Sequence, residues 1–189
     1  MFLAHIICIF FAFNIILVKS QVPYIGNCPE NITTKSDFQP DKYLGKWYEY
    51  AKYPFIFEAG GKCITAEYGN LGNGKISVVN TQYGMLFGSK SSIRGTAKEV
   101  APGKLLVNFD YIPLDTLTSS NYWVLDTDYE NFSVVFSCYD LLYFHTEVVW
   151  ILTREQQPSP ETIEKAKSVI QEKGLSLKPL TITDQTNCT

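Results

Sequence analysis

The sequence predicts an all-β domain, a closed barrel or a sandwich, with one α-helix near the C-terminus packed against its outside. Three observations predict it. Eight short strand-like segments follow one another at roughly ten-residue spacing. Aromatic residues make up 14% of the chain, a share suited to pleated, half-buried surfaces. The hydrophobic period changes from two to helical only after Ser159.

The 189 residues suffice for one domain with a sizeable core. Residues 1–20 are expected to be a signal peptide. Ile6 to Val18 is almost continuously apolar yet short for a membrane span, and Val18-Lys19-Ser20 places small or apolar residues at the −3 and −1 positions before Gln21. Residues 21–189 then form a single domain, with no repeat or linker. Loss of Lys19 leaves 15 basic and 19 acidic residues, a formal charge of −4, which excludes a basic nucleic-acid surface. Cys8 leaves with the leader, and Cys28, Cys63, Cys138 and Cys188 remain, an even set suited to disulfides in an oxidising compartment. With no Cys-x-x-Cys pair, no metal is expected. Four cysteines allow three pairings. The sequons at Asn31 and Asn131 fit a secreted glycoprotein; a third, at Asn187, adjoins a cysteine and the terminus.

Residues 21–43 contain Pro23, Pro29 and Pro40 and read as an irregular arm. Gly45-Lys46-Trp47 opens the first strand. Tyr53 to Gly61 is too broken for a strand and unusually apolar for a loop. Cys63–Tyr68 puts Ile64, Ala66 and Tyr68 on one face. Asn73-Gly74 signals a tight hairpin into Lys75–Gln82, where Ile76 and Val78 share a face with Asn80. A polar strand, Ser92–Val100, turns at Pro102-Gly103 into Lys104–Tyr111, where Leu105, Val107, Phe109 and Tyr111 alternate strictly. Tyr122–Leu125 and Phe132–Cys138 follow. His145–Thr153 is the eighth, with Val148, Trp150 and Leu152 on one face and Glu147 on the other. Ser159-Pro160-Glu161 starts a helix, in which Ile163, Ala166 and Ile170 recur before Gly174 stops it. Leu177–Thr183 adds an edge segment.

Three signatures in this order resemble the lipocalin family: Gly45-Lys46-Trp47, Thr127-Asp128-Tyr129, and Arg154 after Trp150-Ile151-Leu152-Thr153. Phe57-Glu58 before Cys63, Glu130-Asn131 before Cys138, and Thr183-Asp184-Gln185 before Asn187-Cys188 resemble its apolipoprotein D and insect bilin-binding branch. The resemblance covers essentially the whole mature chain. It implies an eight-stranded antiparallel up-and-down barrel, closed at the Trp47 end and holding one small ligand. It also implies the pairings Cys28–Cys138 and Cys63–Cys188. Arg154 shares the parity of Trp150 and Leu152, so it should point inward and stack on Trp47. Gly45, Trp47, Thr127, Asp128, Tyr129 and Arg154 are therefore expected to be structural.

Strand alternation nominates Ala66, Tyr68 and Val78, then Asn80, Val107 and Phe109, and finally Phe136, Val148 and Trp150 as lining a ligand cavity. Such a wall suits a fatty acid, a sterol or another lipid. The resemblance admits biliverdin as a bound pigment in place of lipid, and no cofactor is required. No cation other than Arg154 is expected inside. Apart from His5 in the leader, His145 is the one candidate base, and no nucleophile motif accompanies it, so no enzyme is expected. Phe55, Ile56 and Phe57 should overhang the barrel mouth, touching a membrane or lipoprotein or folding over the mouth as a lid. A monomer or a dimer fits, and a filled barrel that binds partners on its surface is the rival reading.

Overall fold

The computed structural model describes residues 22–55, 58–84, 88–110 and 120–188; the leader expected over residues 1–20 lies outside them. Eight strands close a meander: β2 (Gly45–Lys52), β3 (Gly61–Gly72), β4 (Lys75–Gly84), β5 (Lys90–Ala101), β6 (Lys104–Phe109), β7 (Ser120–Thr127), β8 (Phe132–Leu141) and β9 (Phe144–Thr153). Each pairs antiparallel with the next, and β9 returns to pair with β2. Turn chemistry sets the short connections. Asn73 and Gly74 both take positive φ, 52° and 70°, the conformation of a two-residue hairpin whose twist matches its strands.

The arm is more regular than its prolines suggest. Val22–Ile25 forms an edge strand, β1, on β9; an edge position tolerates Pro23 because one side of it needs no donor. Pro40 begins a one-turn helix, α1 (Pro40–Tyr43), where its missing N–H is not required. Thr181–Ile182 forms β10 on β2. The long helix α2 (Pro160–Glu172) is capped by Ser159, whose Oγ accepts from the Thr162 amide at 3.2 Å. It buries Ile163, Ala166, Val169 and Ile170.

Two apolar cores result. Inside the barrel, Trp47, Ile76, Val78, Leu105, Val107 and Leu152 meet Phe38 and Tyr43, which plug one end. Outside, α2 covers Val134, Phe136, Val149 and Ile151 of β8 and β9. Disulfides Cys28–Cys138 and Cys63–Cys188 tie the arm and the tail to the wall. Cys63 lies at a bulge in β3, with φ 54° and its amide donating to Asp184 O at 2.8 Å.

The plugged end is organised by Arg154. Its guanidinium lies 3.8 Å from the Trp47 ring. Nε donates to Tyr129 O at 2.9 Å, Nη1 to Lys46 O at 3.0 Å and Nη2 to Lys42 O at 3.2 Å. Trp47 Nε1 donates to Tyr43 O at 2.9 Å. Gly45 is required beside this cluster: its φ is +93°, and a Cβ there would lie 3.3 Å from Arg154 Nη1. Thr127-Asp128-Tyr129 shapes the β7–β8 turn. Thr127 Oγ1 donates to Phe132 O at 2.6 Å, and Asp128 Oδ1 accepts from the amides of Glu130, Asn131 and Phe132. Burial would raise the Asp128 pKa, but these donors and the Asn131 side chain outweigh it and hold the carboxyl below its ordinary value.

Arg154→Ala leaves three backbone carbonyls without their donor and is expected to cost about 2–4 kcal/mol of stability. Arg154→Lys recovers little of it, because one ammonium cannot stack on the indole and span the three carbonyls. Urea unfolding of both variants checks this; a lysine variant as stable as the parent would contradict it.

Candidate functional site

Beyond the plug, the barrel encloses a cavity of about 100 Å³. Its wall is mainly apolar, and the sheet register explains which residues face it, since directly paired residues share a face. Ala66 pairs with Asn80, and Tyr68 with Val78; all four line the cavity. Val107, Phe109 and Trp150 complete the nominated residues found there.

Two nominated residues do not line it. Phe136 pairs with Trp123 and Val149 and is fully buried in the outer core beside α2. The alternation on β8 gave no clue to its phase: Phe132 to Cys138 are all buried, because the barrel interior covers one face and α2 the other. Its cavity-facing residue is instead Ser137. Val148 pairs with Ser137 and so shares the inward face, but it is packed away with no exposed surface and takes no part in the lining.

The wall also holds the carboxyls of Glu49 and Glu58, with Lys52 beside both. Glu49 follows Trp47 by two positions on β2, so its inward direction was available from the pattern; it is 2% exposed. Lys52 was not available, because a bulge between Glu49 and Ala51 shifts the register. Glu49 pairs with Leu152 and Lys52 with Trp150, both wall residues, whereas Ala51 pairs with Ile151 of the outer core. An inward cation besides Arg154 therefore exists. Lys52 Nζ lies 2.8 Å from Glu49 Oε1 and 2.6 Å from Glu58 Oε2. Thr183 Oγ1 also donates to Glu49 Oε1. Burial, reinforced by the Glu58 charge, holds the Glu49 carboxyl above the ordinary carboxylate range despite Lys52. Lys52 is itself raised: burial works against its charge, but the two carboxylates outweigh it.

Phe55 turns into the wall rather than outward. Its ring stands edge-on to Trp150 with centroids 5.6 Å apart, and Trp150 Nε1 donates to Glu58 Oε2 at 3.5 Å. Ile56 and Phe57 lie outside the described residues. Toward the plug, Tyr68 donates to Tyr122 at 2.8 Å, Tyr122 shares a hydrogen bond with Tyr43 at 2.8 Å, and Tyr43 one with Ser133 at 2.9 Å. Burial pushes the Tyr43 phenol up to about 12 and raises those of Tyr68 and Tyr122. His145 lies apart from the wall: its Nδ1 is 2.9 Å from Gly26 O and its Nε2 3.2 Å from Glu147 Oε1, with Tyr24 of β1 stacked on it. The side chains of Asn31 and Asn131 are exposed. Among the described residues no cluster of His, Cys, Asp and Glu is arranged to hold a metal ion.

The Glu49 environment sets a pH dependence. In the folded protein the carboxyl keeps its proton above 4.5, its value when unperturbed, so between that pH and the raised native value the folded state binds more protons than the unfolded one. Stability falls as pH rises through this window. In Glu49→Gln that part of the slope disappears, which urea midpoints measured across the window check. An identical slope in the variant would rule the assignment out.

Comparison with known proteins places the whole architecture. The model of the lipocalin / cytosolic fatty-acid binding protein family matches residues 44–187. Mouse (Mus musculus) apolipoprotein D is 39% identical over 174 residues, covering 90% of this chain and 88% of the relative. Lazarillo protein of Schistocerca americana is 36% identical over 160 residues, covering 81% and 72%. Among solved structures, insecticyanin of the tobacco hornworm Manduca sexta superposes with a TM-score of 0.77 at 28% identity, covering 87% and 89%. Matched over its entire barrel by the family model and over nine-tenths of its length by apolipoprotein D, this chain belongs to the lipocalin family.

Proposed function

We propose that this lipocalin is a secreted carrier that binds a small hydrophobic ligand, a lipid such as a sterol or fatty acid, in the barrel cavity, as an apolipoprotein D-like transport protein. The observation that carries the reading is the cavity wall: apolar side chains from most of the strands, with a few polar groups held in place, inside a disulfide-strapped barrel. The driving force is removal of apolar ligand surface from water, about 25 cal/mol per Å². A cavity of about 100 Å³ is smaller than a sterol needs, so binding requires the Phe55–Trp150 pair to swing aside. Phe55 acts here as part of a lid, and contact of Phe55, Ile56 and Phe57 with a membrane or lipoprotein surface belongs to the open state.

Cleavage of residues 1–20 and passage through an oxidising compartment fit the two disulfides. His145, held by Gly26 and Glu147 away from the wall, supports a binding role over a catalytic one. Biliverdin in place of lipid is the alternative ligand. The small cavity volume favours one rival, a filled barrel that acts through its outer surface.

Protein purified without denaturant is expected to yield lipid on organic extraction and to show Trp150 quenching when titrated with the fluorescent sterol dehydroergosterol. Red and near-ultraviolet absorbance bands would establish the bilin alternative. An empty extract with no quenching would sink the carrier reading. Replacing Phe55, Ile56 and Phe57 together by Ser is expected to weaken binding to liposomes, and unchanged binding would dismiss the membrane contact.

A further inference from the structure

The polar groups of the cavity wall differ in what they have left to offer a ligand. Lys52 is the cation beside the wall, and it is engaged by two carboxylates, Glu49 at 2.8 Å and Glu58 at 2.6 Å, with 12% of its side chain exposed. Trp150 Nε1 is turned to Glu58 and the Thr183 hydroxyl to Glu49. The phenols are turned to one another, from Tyr68 through Tyr122 to Tyr43 and Ser133. The strongest donors of the wall are thus committed to protein acceptors.

The acceptors are in excess. Glu49 Oε1 takes both Lys52 and Thr183. On β4, two strands from β2, Asn80 Oδ1 is buried with no hydrogen-bond partner among the described residues, in a side chain that lines the cavity. A buried amide left unpaired is costly, and a ligand hydroxyl, donor and acceptor at once, satisfies it in either orientation of the amide.

A ligand carboxylate meets the opposite situation. With Glu49 ionised it would be a third anion beside Glu49 and Glu58 with one ammonium between them. If Glu49 carries a proton, Lys52 and Glu58 cancel, and the incoming charge stands uncompensated in a desolvated interior. We infer that this cavity selects neutral, hydroxyl-bearing lipids of the sterol or fatty-alcohol class over free fatty acids, with Glu49, Glu58 and Asn80 as the residues that set the preference. The inference rests on the carrier reading and narrows its ligand class.

The test compares two probes with the same fluorescent chain and different head groups, cis-parinaryl alcohol and cis-parinaric acid, titrated at neutral pH. The alcohol is expected to bind at least about tenfold more tightly. In Glu49→Gln/Glu58→Gln, which releases Lys52, the acid should gain affinity until the two probes lie within about threefold of each other. Near-ultraviolet circular dichroism verifies that the variant folds. Glu58→Gln alone, in the loop and away from the β2 core, supplies a second variant that should move the ratio in the same direction. Equal or tighter binding of the acid to the unmodified protein, or a ratio that neither variant changes, overturns the inference while leaving the carrier reading intact. Failure of both probes and of dehydroergosterol to bind removes the carrier reading itself, and this inference with it.

Discussion

The stacking of Arg154 on Trp47 is the contact on which the rest of the barrel depends. A closed sheet has no edge, but it has two ends, and a hydrophobic interior with both ends open would admit water. The guanidinium closes one of them by joining three separate pieces of chain: α1 through Lys42, the first residues of β2 through Lys46, and the β7–β8 turn through Tyr129. A charged group suits this position because its flat face covers an indole while its edge donates in several directions. Phe38 and Tyr43 can fill the barrel's end only because this clamp holds the arm across it.

With one end sealed, ligand chemistry is confined to the other half of the interior. The polar groups there form two separate sets: a phenol chain facing the plug, and a carboxylate–ammonium–carboxylate set below Phe55 and Trp150. The first completes the structure and leaves little for a ligand. The second lies where a head group would arrive, and with Glu49 protonated Lys52 and Glu58 cancel, leaving no charge to compensate an anion. Relatives described as apolipoprotein D and Lazarillo protein share the scaffold, but the scaffold alone does not specify the charge of the cavity.

How far sequence reasoning reached follows from what covers each strand. β4 and β6 alternate cleanly, so Val78, Asn80, Val107 and Phe109 could be assigned to the interior from parity alone. β8 is covered on both faces, and its run of seven buried residues carried no phase, which is why Phe136 was placed on the wrong side. Tyr50 illustrates a different obstacle. A bulge changes parity in mid-strand without a glycine or proline to announce it, so strict alternation from Trp47 sets Lys52 on the opposite face from Trp150, whereas the two are paired. Likewise β1 and α1 were hidden by Pro23 and Pro40, residues that exclude central strands and helix interiors but not edges and first turns. Gly45, Trp47, Asp128 and Arg154 were nominated through the lipocalin signatures, and in the structure each meets a specific backbone or stacking requirement.

The bulge at Tyr50 has an evolutionary side. On a regular strand, residues two apart share one face and therefore one set of neighbours, so altering the charge of the wall would disturb a continuous stripe of interior packing. One additional residue lets Ala51 serve the contact under α2 while Lys52, next in the chain, serves the interior. The two sites can then vary independently. A lineage could exchange the cation or its carboxylate partners, and so the class of molecule carried, without repacking the helix against the barrel.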